Sequence, residues 1–303
     1  MGYVPNNAAQ RLIRARSNQA NTHFDQVGFL LLRKGGIALR ENYLISLMQG
    51  IEMGLAESNA SMVFLHVADE SHWERASRIA GSGIIDGWLL AGEMTEQAIR
   101  RVTEWGRPFL VLGAHDATDP LPHVDLNYKE AARMAVQHLA NLGHRRIALA
   151  GTTLNYQYQR DLRDGFRSAV KELGLDDDEP LSHVQNLEIP ELLSGLLSLK
   201  PAPTALVLIE PGLAQLVMSH IERIKFHVPD EMSLVACELD LNFSPVPTIT
   251  QIVFPYQEVG RVAAGLLREI VVKPGTRERD IRVMPTFKHG LTCGRPLEAC
   301  NER

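Results

Sequence analysis

The feature that most constrains this chain is a repeating one: short, unbroken apolar runs separated by polar stretches long enough for a helix. In the first part of the chain the runs are 27–32 (VGFLLL), 62–67 (MVFLHV), 84–90 and 109–112. Their hydrophobicity is continuous rather than alternating, which predicts strands covered on both faces, as in a parallel sheet. Leu44, Leu47, Met48, Ile51 and Leu55 fall on one face at helical spacing and predict a helix after the first run. The pattern then starts again. Asn127 with Glu130 resembles a capping box, opening a helix through Met134, Val136 and Leu139 to a stop at Gly143. A strand at 147–150 follows, and Leu162, Phe166, Ala169, Val170 and Leu173 mark a helix ended by Gly174. Runs at 205–209 and 233–237 predict strands on either side of a helix around 213–224. Val259, Val262, Ala263, Leu266, Leu267 and Ile270 make one more helix, closed by Pro274 and Gly275, before a last strand at about 281–287.

Two successive arrays of this kind predict an α/β protein of two Rossmann-like, doubly wound lobes. A chain of 303 residues is long for one core and comfortable for two. Ligands of open parallel sheets bind outside the carboxyl ends of the strands, so a small molecule between facing lobes is expected. The content of 45% hydrophobic and 22% charged residues is that of a soluble globular protein. No run approaches the ~20 apolar residues of a membrane span, and the first twenty residues lack the apolar centre of a secretion signal. A cytoplasmic location without membrane partners is expected. Cys237, Cys293 and Cys300 form no CxxC pair and read as thiols of a reducing compartment. With a net charge of −5, the body as a whole is not a nucleic-acid surface. Residues 1–20 differ: they carry Arg11, Arg14 and Arg16 and no acid, which suits either a phosphate backbone or a solvated face.

The signatures of common enzymes are missing. There is no GxxxxGK[ST] loop, GxSxG elbow or HExxH helix. Gly81-Ser82-Gly83 begins like a dinucleotide fingerprint, yet it precedes a strand, and Asp86 takes the third glycine position. The eleven histidines show no metal-ligand spacing, so no metal or cofactor is expected. Glu238 and Asp240, at a strand end, suit hydroxyl binding or structural duty better than a catalytic pair. The reading is of a protein that is not an enzyme.

A collinear series of phrases, spanning nearly the whole chain, follows the pattern of a single protein family. Tyr3, Val4, Pro5 and Asn6, followed by Ala8, Ala9 and Leu12, resemble the hinge that joins that family's DNA-reading head to its body. Gln49 to Glu52 are similar to the end of its first body helix, and Ile85 to Leu90 (IDGWLL) to its "VDGIIL" strand. HLANLGHRRIALA, ending at Ala150, is the most specific phrase. Gly165-Phe166-Arg167, Val228-Pro229-Asp230 before Ser233, and Pro247 with Ile249, Thr250 and Pro255 complete the series. Together these phrases resemble the lactose/galactose repressor (LacI/GalR) family of transcription regulators.

The resemblance implies a type I periplasmic-binding-protein-like body, a homodimer, and a small-molecule effector, commonly a sugar or sugar derivative. Operator DNA would be read by an N-terminal helix-turn-helix head preceding Tyr3, and Asn6, Arg11 and Leu12 would be the hinge's DNA-facing residues. A chain starting at Met1 would lack that head. The implied division is a hinge remnant at 1–20, a first lobe of 21–125 with 250–282, and a second of 126–249 with 283–303. For the effector the matching positions are Tyr43, Glu210, Glu238, Asp240 and Phe254, together with Arg160 or Arg163. Leu162 stands where the family usually carries an arginine, and Pro211 and Phe254 replace polar positions, so an effector with a less polar edge is expected. A transport-type solute-binding protein of the same fold is the alternative reading; the missing secretion signal and the hinge phrase weigh against it.

Overall fold

In the computed structural model the described residues are 24–33, 42–115, 120–152, 156–176, 181–184, 189–210, 212–239, 249–273, 275 and 280–297. Asn6, Arg11, Leu12 and Asp240 lie outside them. The first array runs β1 (Gln26–Leu32), α1 (Asn42–Ala56), β2 (Ser61–Val67), α2 (Glu70–Gly81), β3 (Gly87–Gly92), α3 (Glu96–Thr103), β4 (Phe109–Leu112) and β5 (His123–Leu126). The second runs α4 (Tyr128–Asn141), β6 (Ile147–Thr152), α5 (Gln157–Glu172), β7 (Leu181–Val184), α6 (Ile189–Ser198), β8 (Ala205–Leu208), α7 (Leu213–Ile224), β9 (Ser233–Leu239) and β10 (Thr250–Phe254). Helix α8 (Tyr256–Val272) and strands β11 (Asp280–Val283) and β12 (Thr286–Lys288) follow.

The strands form two six-stranded sheets, ordered β11-β5-β4-β3-β1-β2 and β12-β10-β9-β8-β6-β7. In the first, β1 is parallel to both β2 and β3, and β3 to β4. In the second, β6 is parallel to β7 and β8, β8 to β9, and β9 to β10, while β12 is antiparallel to β10. Strand order therefore reverses at β1/β3 in one sheet and at β6/β8 in the other. These are the switch points at which doubly wound sheets open a crevice. By contacts the described residues fall into two compact units, within Met1–Gly36, Ile51–His123 and Arg261–Asp280, and within Ile37–Gly50, Val124–Gly260 and Ile281–Arg303.

Several sequence expectations are redrawn. The third strand starts at Gly87, not at 84, and Ile84 is exposed. Asp86 explains the late start: its Oδ2 accepts the backbone N–H groups of Asp25 at 2.8 Å and Gln26 at 2.9 Å, pinning the chain before pairing begins. The single strand expected at 281–287 is two, one in each sheet, broken before Pro285, which has no N–H for a ladder. Residues 250–254, assigned with 250–282 to the first lobe, are hydrogen-bonded in the second sheet beside β9. The capping box at α4 is half-formed. Asn127 Oδ1 accepts from Glu130 N at 3.1 Å, but the Asn127 N–H already donates to Val283 O at 2.9 Å. The Glu130 carboxylate turns to Arg133 instead.

Each unit has its own apolar core. In the first, Leu30, Leu65, Trp88, Leu90, Ile99 and Val102 pack together; in the second, Leu192, Leu196, Leu206, Leu208, Val217 and Leu234 do so. Within the second unit His144, from the most specific phrase of the sequence, is 1% exposed. Its Nδ1 lies 2.8 Å from Thr204 Oγ1, and its Nε2 lies 3.0 Å from both Ser233 Oγ and Gly294 O. The imidazole thus ties β9 to the segment after β12. No helix among the described residues is long and apolar enough to cross a membrane.

Candidate ligand-binding site

The site gathers in the second unit, past the carboxyl ends of the strands around the β6/β8 switch point. Strand β8 delivers Glu210 two residues beyond its end, and the segment after β6 delivers Tyr156, Tyr158 and Gln159 at the start of α5. Tyr158 Oη donates to Glu210 Oε1 at 3.1 Å, and Gln159 Nε2 donates to Glu210 Oε2 at 2.8 Å. Gln159 is 1% exposed, and its Oε1 accepts the Tyr156 N–H at 3.2 Å. One buried amide therefore fixes both the carboxylate and the entry to α5. The Glu210 carbonyl in turn accepts Leu213 N at 3.1 Å, at the opening of α7.

An aromatic cluster continues from this anchor. Tyr156 and Tyr158 are stacked at 5.9 Å between centroids and 15° between planes. Tyr158 meets Tyr128, the first residue of α4, at 5.6 Å, and Tyr128 meets Phe254 at 5.3 Å in an edge contact. Tyr256, opening α8, lies 6.5 Å from Phe254 and 5.3 Å from Tyr43 of α1. The Tyr128 and Tyr256 hydroxyls are 3.1 Å apart, within hydrogen-bond reach of each other. Five of the chain's six tyrosines are thus in one cluster, each beside a helix start that follows a strand.

Burial pushes the Tyr128 hydroxyl well above the ordinary 10, and the charges of Tyr256 and Asp125 add to it. Tyr158 is raised first by burial and then by the negative charge of Glu210. Burial raises Tyr256 too, against the lowering effect of its bond to Tyr128. All three stay protonated at neutral pH and keep an O–H to donate. Asp125 itself, on β5, accepts from Arg282 Nη1 at 3.0 Å.

The expected site residues divide. Tyr43, Glu210 and Phe254 belong to the cluster, with Phe254 only 1% exposed, as a base beneath the tyrosines. Arg160 lies on α5 and its guanidinium donates to Gln157 Oε1 of the same helix. Arg163 sits on the same helix beside Leu162, which is fully buried in the helix's core-facing stripe. Glu238 is a residue of β9, in register with Val253. Tyr128, Tyr156, Tyr158, Gln159 and Tyr256 escape the sequence reading. The signal for the four tyrosines was aromatics recurring just after strand runs, whereas nothing local marked Gln159.

A groove of about 600 Å³ in the first unit, lined by Trp73, Trp105, Glu70 and Arg101 among others, is of a different kind. There Arg101 lies over the Trp73 ring at 5.1 Å and donates to both Glu70 oxygens at 2.8 and 3.0 Å, so its cation is engaged within the fold. Among the described residues no cluster of His, Cys, Asp and Glu is arranged to hold a metal.

Two doubly wound, largely parallel sheets, one with a carboxylate–tyrosine cluster past its switch point, define a periplasmic-binding-protein-like body. Residues 26–211 match the family described as periplasmic binding proteins and sugar-binding domain of the LacI family, and residues 136–293 match the periplasmic binding protein-like domain. The chain belongs to this LacI family of sugar-binding domains. Among curated proteins, a transcriptional regulator of helix-turn-helix type from Streptomyces limosus is 29% identical over 61% of this chain and 54% of its own length. Catabolite control protein A of Priestia megaterium is 25% identical over 62% of this chain and 59% of its own length. The chain spans little more than half the length of these relatives. Among solved structures, a LacI family regulator of Enterococcus faecium with bound ribose superposes with a TM-score of 0.73. It is 22% identical, and the match covers 90% of this chain and all of that one. A complex of the regulator CelR with cellobiose gives a TM-score of 0.74 at 20% identity, over 94% and 89% of the two chains.

Proposed function

We propose that this chain is the sensing body of a ligand-responsive transcription repressor, and that its effector is a carbohydrate held at the Glu210–tyrosine cluster. One observation carries this reading: a carboxylate and protonated tyrosine hydroxyls converge past the strand ends of a switch point, where doubly wound folds bind small molecules. A carboxylate accepts from sugar hydroxyls in pairs, and aromatic rings cover the apolar face of a sugar ring. The ribose and cellobiose in the two solved neighbours support the same class of effector. Glu238, Asp240, Arg160 and Arg163 are secondary contacts in this reading.

The regulator works in the cytoplasm as a homodimer. Its two lobes respond to the effector, and the response reaches operator DNA through the hinge of Asn6, Arg11 and Leu12 and a helix-turn-helix head. The effector changes operator affinity only as far as it binds the two lobe arrangements unequally. It has no catalytic duty. Thermal shift against a panel of neutral sugars tests the proposal: at least one raises the melting temperature of the intact protein, and the rise shrinks in Glu210→Gln. A panel with no stabilising sugar would count against it.

A further inference from the structure

The aromatic cluster has two partly exposed ends and a buried middle. Tyr43 and Tyr256 form one end, Tyr156 and Tyr158 the other, and Tyr128 and Phe254 lie between them at 7% and 1% exposure. A sugar ring is no larger than a tyrosyl ring and covers one or two of them, so a monosaccharide leaves one end unused. Tyr156 is 54% exposed yet stacked at 15° on Tyr158, an outward-facing aromatic surface set beside the carboxylate.

The charge of the site narrows the ligand as well. Helix N-termini attract anions, and α5 opens here with first-turn side chains against Glu210. The place an incoming phosphate would take is held by the protein's own Glu210 carboxylate. Both of its oxygens already accept from side chains of that turn, Tyr158 and Gln159. A second anion beside Glu210 would be repelled by it.

We infer that the effector is a neutral carbohydrate of at least two rings, one against Tyr43 and Tyr256 and the next against Tyr156 and Tyr158, rather than a monosaccharide or a phosphorylated sugar. The inference rests on the carbohydrate reading above and specifies which carbohydrates the site takes. Calorimetry on the intact protein tests it, with neutral α- and β-linked disaccharides of glucose, galactose and xylose, their monosaccharides, and the 6-phosphates of glucose and galactose. At least one disaccharide should bind about tenfold or more tighter than either component sugar or its phosphate. Tyr156→Ala should weaken that disaccharide about fivefold or more, and Tyr156→Phe should restore binding. Because Tyr156 is exposed, the substitution leaves the core untouched. A monosaccharide or sugar phosphate binding as tightly as every disaccharide overturns the inference and leaves the carbohydrate reading standing. A disaccharide indifferent to Tyr156→Ala overturns it also. Binding of no carbohydrate in any arm overturns both.

Discussion

At the scale of single residues, Gln159 and Glu210 show how little of a site resides in its charges alone. Gln159 takes the Tyr156 N–H on one atom and gives a hydrogen to Glu210 on the other, so losing it would take one buried partner from each. Gln159→Leu is expected to cost about 1–3 kcal/mol of stability, read by urea unfolding, and to weaken effector binding as well. Tyr158→Phe is the milder change: Glu210 keeps one donor, stability falls by about 0.5–1.5 kcal/mol, and effector affinity drops severalfold in calorimetry. Equal effector affinity in wild type and both variants would remove the cluster from the site. Of these residues, Glu210 was legible in the sequence only through its match to a position in the family resemblance. Gln159 was not, because its role depends on a carboxylate 51 positions away.

At the scale of elements, two close approaches define how helices and strands can pack. A Cβ built on Gly50 of α1 would lie 1.8 Å from the carbonyl oxygen of Gln257, one residue after Tyr256 on α8. Backbone cannot yield as a flexible side chain does, so Gly50 is what lets this part of α1 reach α8 and bring Tyr43 against Tyr256. Gly50→Ala is expected to destabilise by about 1–3 kcal/mol and to weaken effector binding through the displaced Tyr43, despite alanine's better helix propensity. A thermal melt equal to or above wild type would refute that account. In the first sheet, a Cβ on Gly28 would meet the Trp88 ring at 2.1 Å, across the β1–β3 pairing. Periodicity identified both strands as buried, yet the matching of the smallest residue to the largest depends on register. Strand identity was readable for β1, β2, β4, β6, β8 and β9, whose apolar runs stand clear of polar neighbours. It failed for β5 and β10, where His123, Asp125, Thr250 and Gln251 break the run while the sheet still buries most of it.

At the scale of the whole molecule, stability should depend on histidine protonation. Burial holds the His144 imidazole below its ordinary 6.5, opposed by the Gly294 carbonyl; burial and then the charges of His289 and His144 lower His138 as well. Groups with a depressed folded pKa bind protons more readily when unfolded. Their contribution is therefore complete above about pH 6.5 and is lost as pH falls from there through the lowered folded values. Urea midpoints should drop by a few tenths molar between about pH 7.5 and 5.5, and His144→Asn should be less stable at the higher pH but show a shallower drop. An identical slope in the variant would clear His144 of this role. The homodimer of the proposed function is checked by sedimentation: a species of only monomer mass at micromolar concentration would refute it.

By itself the sequence determined the class of fold, because continuous apolar runs alternating with amphipathic helical stretches permit few structures other than doubly wound parallel sheets. Its collinear phrases also pointed to the family. Tertiary structure alone decided the rest. It sent 281–283 and 286–288 to different sheets, put 250–254 beside β9, and gave His144 a structural task between Thr204, Ser233 and Gly294. It also brought together five tyrosines spread from position 43 to position 256 around one carboxylate. The physical reason is one of range. Burial and helical spacing are imprinted on neighbours three or four residues apart, whereas the site is made of contacts between strand ends that no local pattern connects.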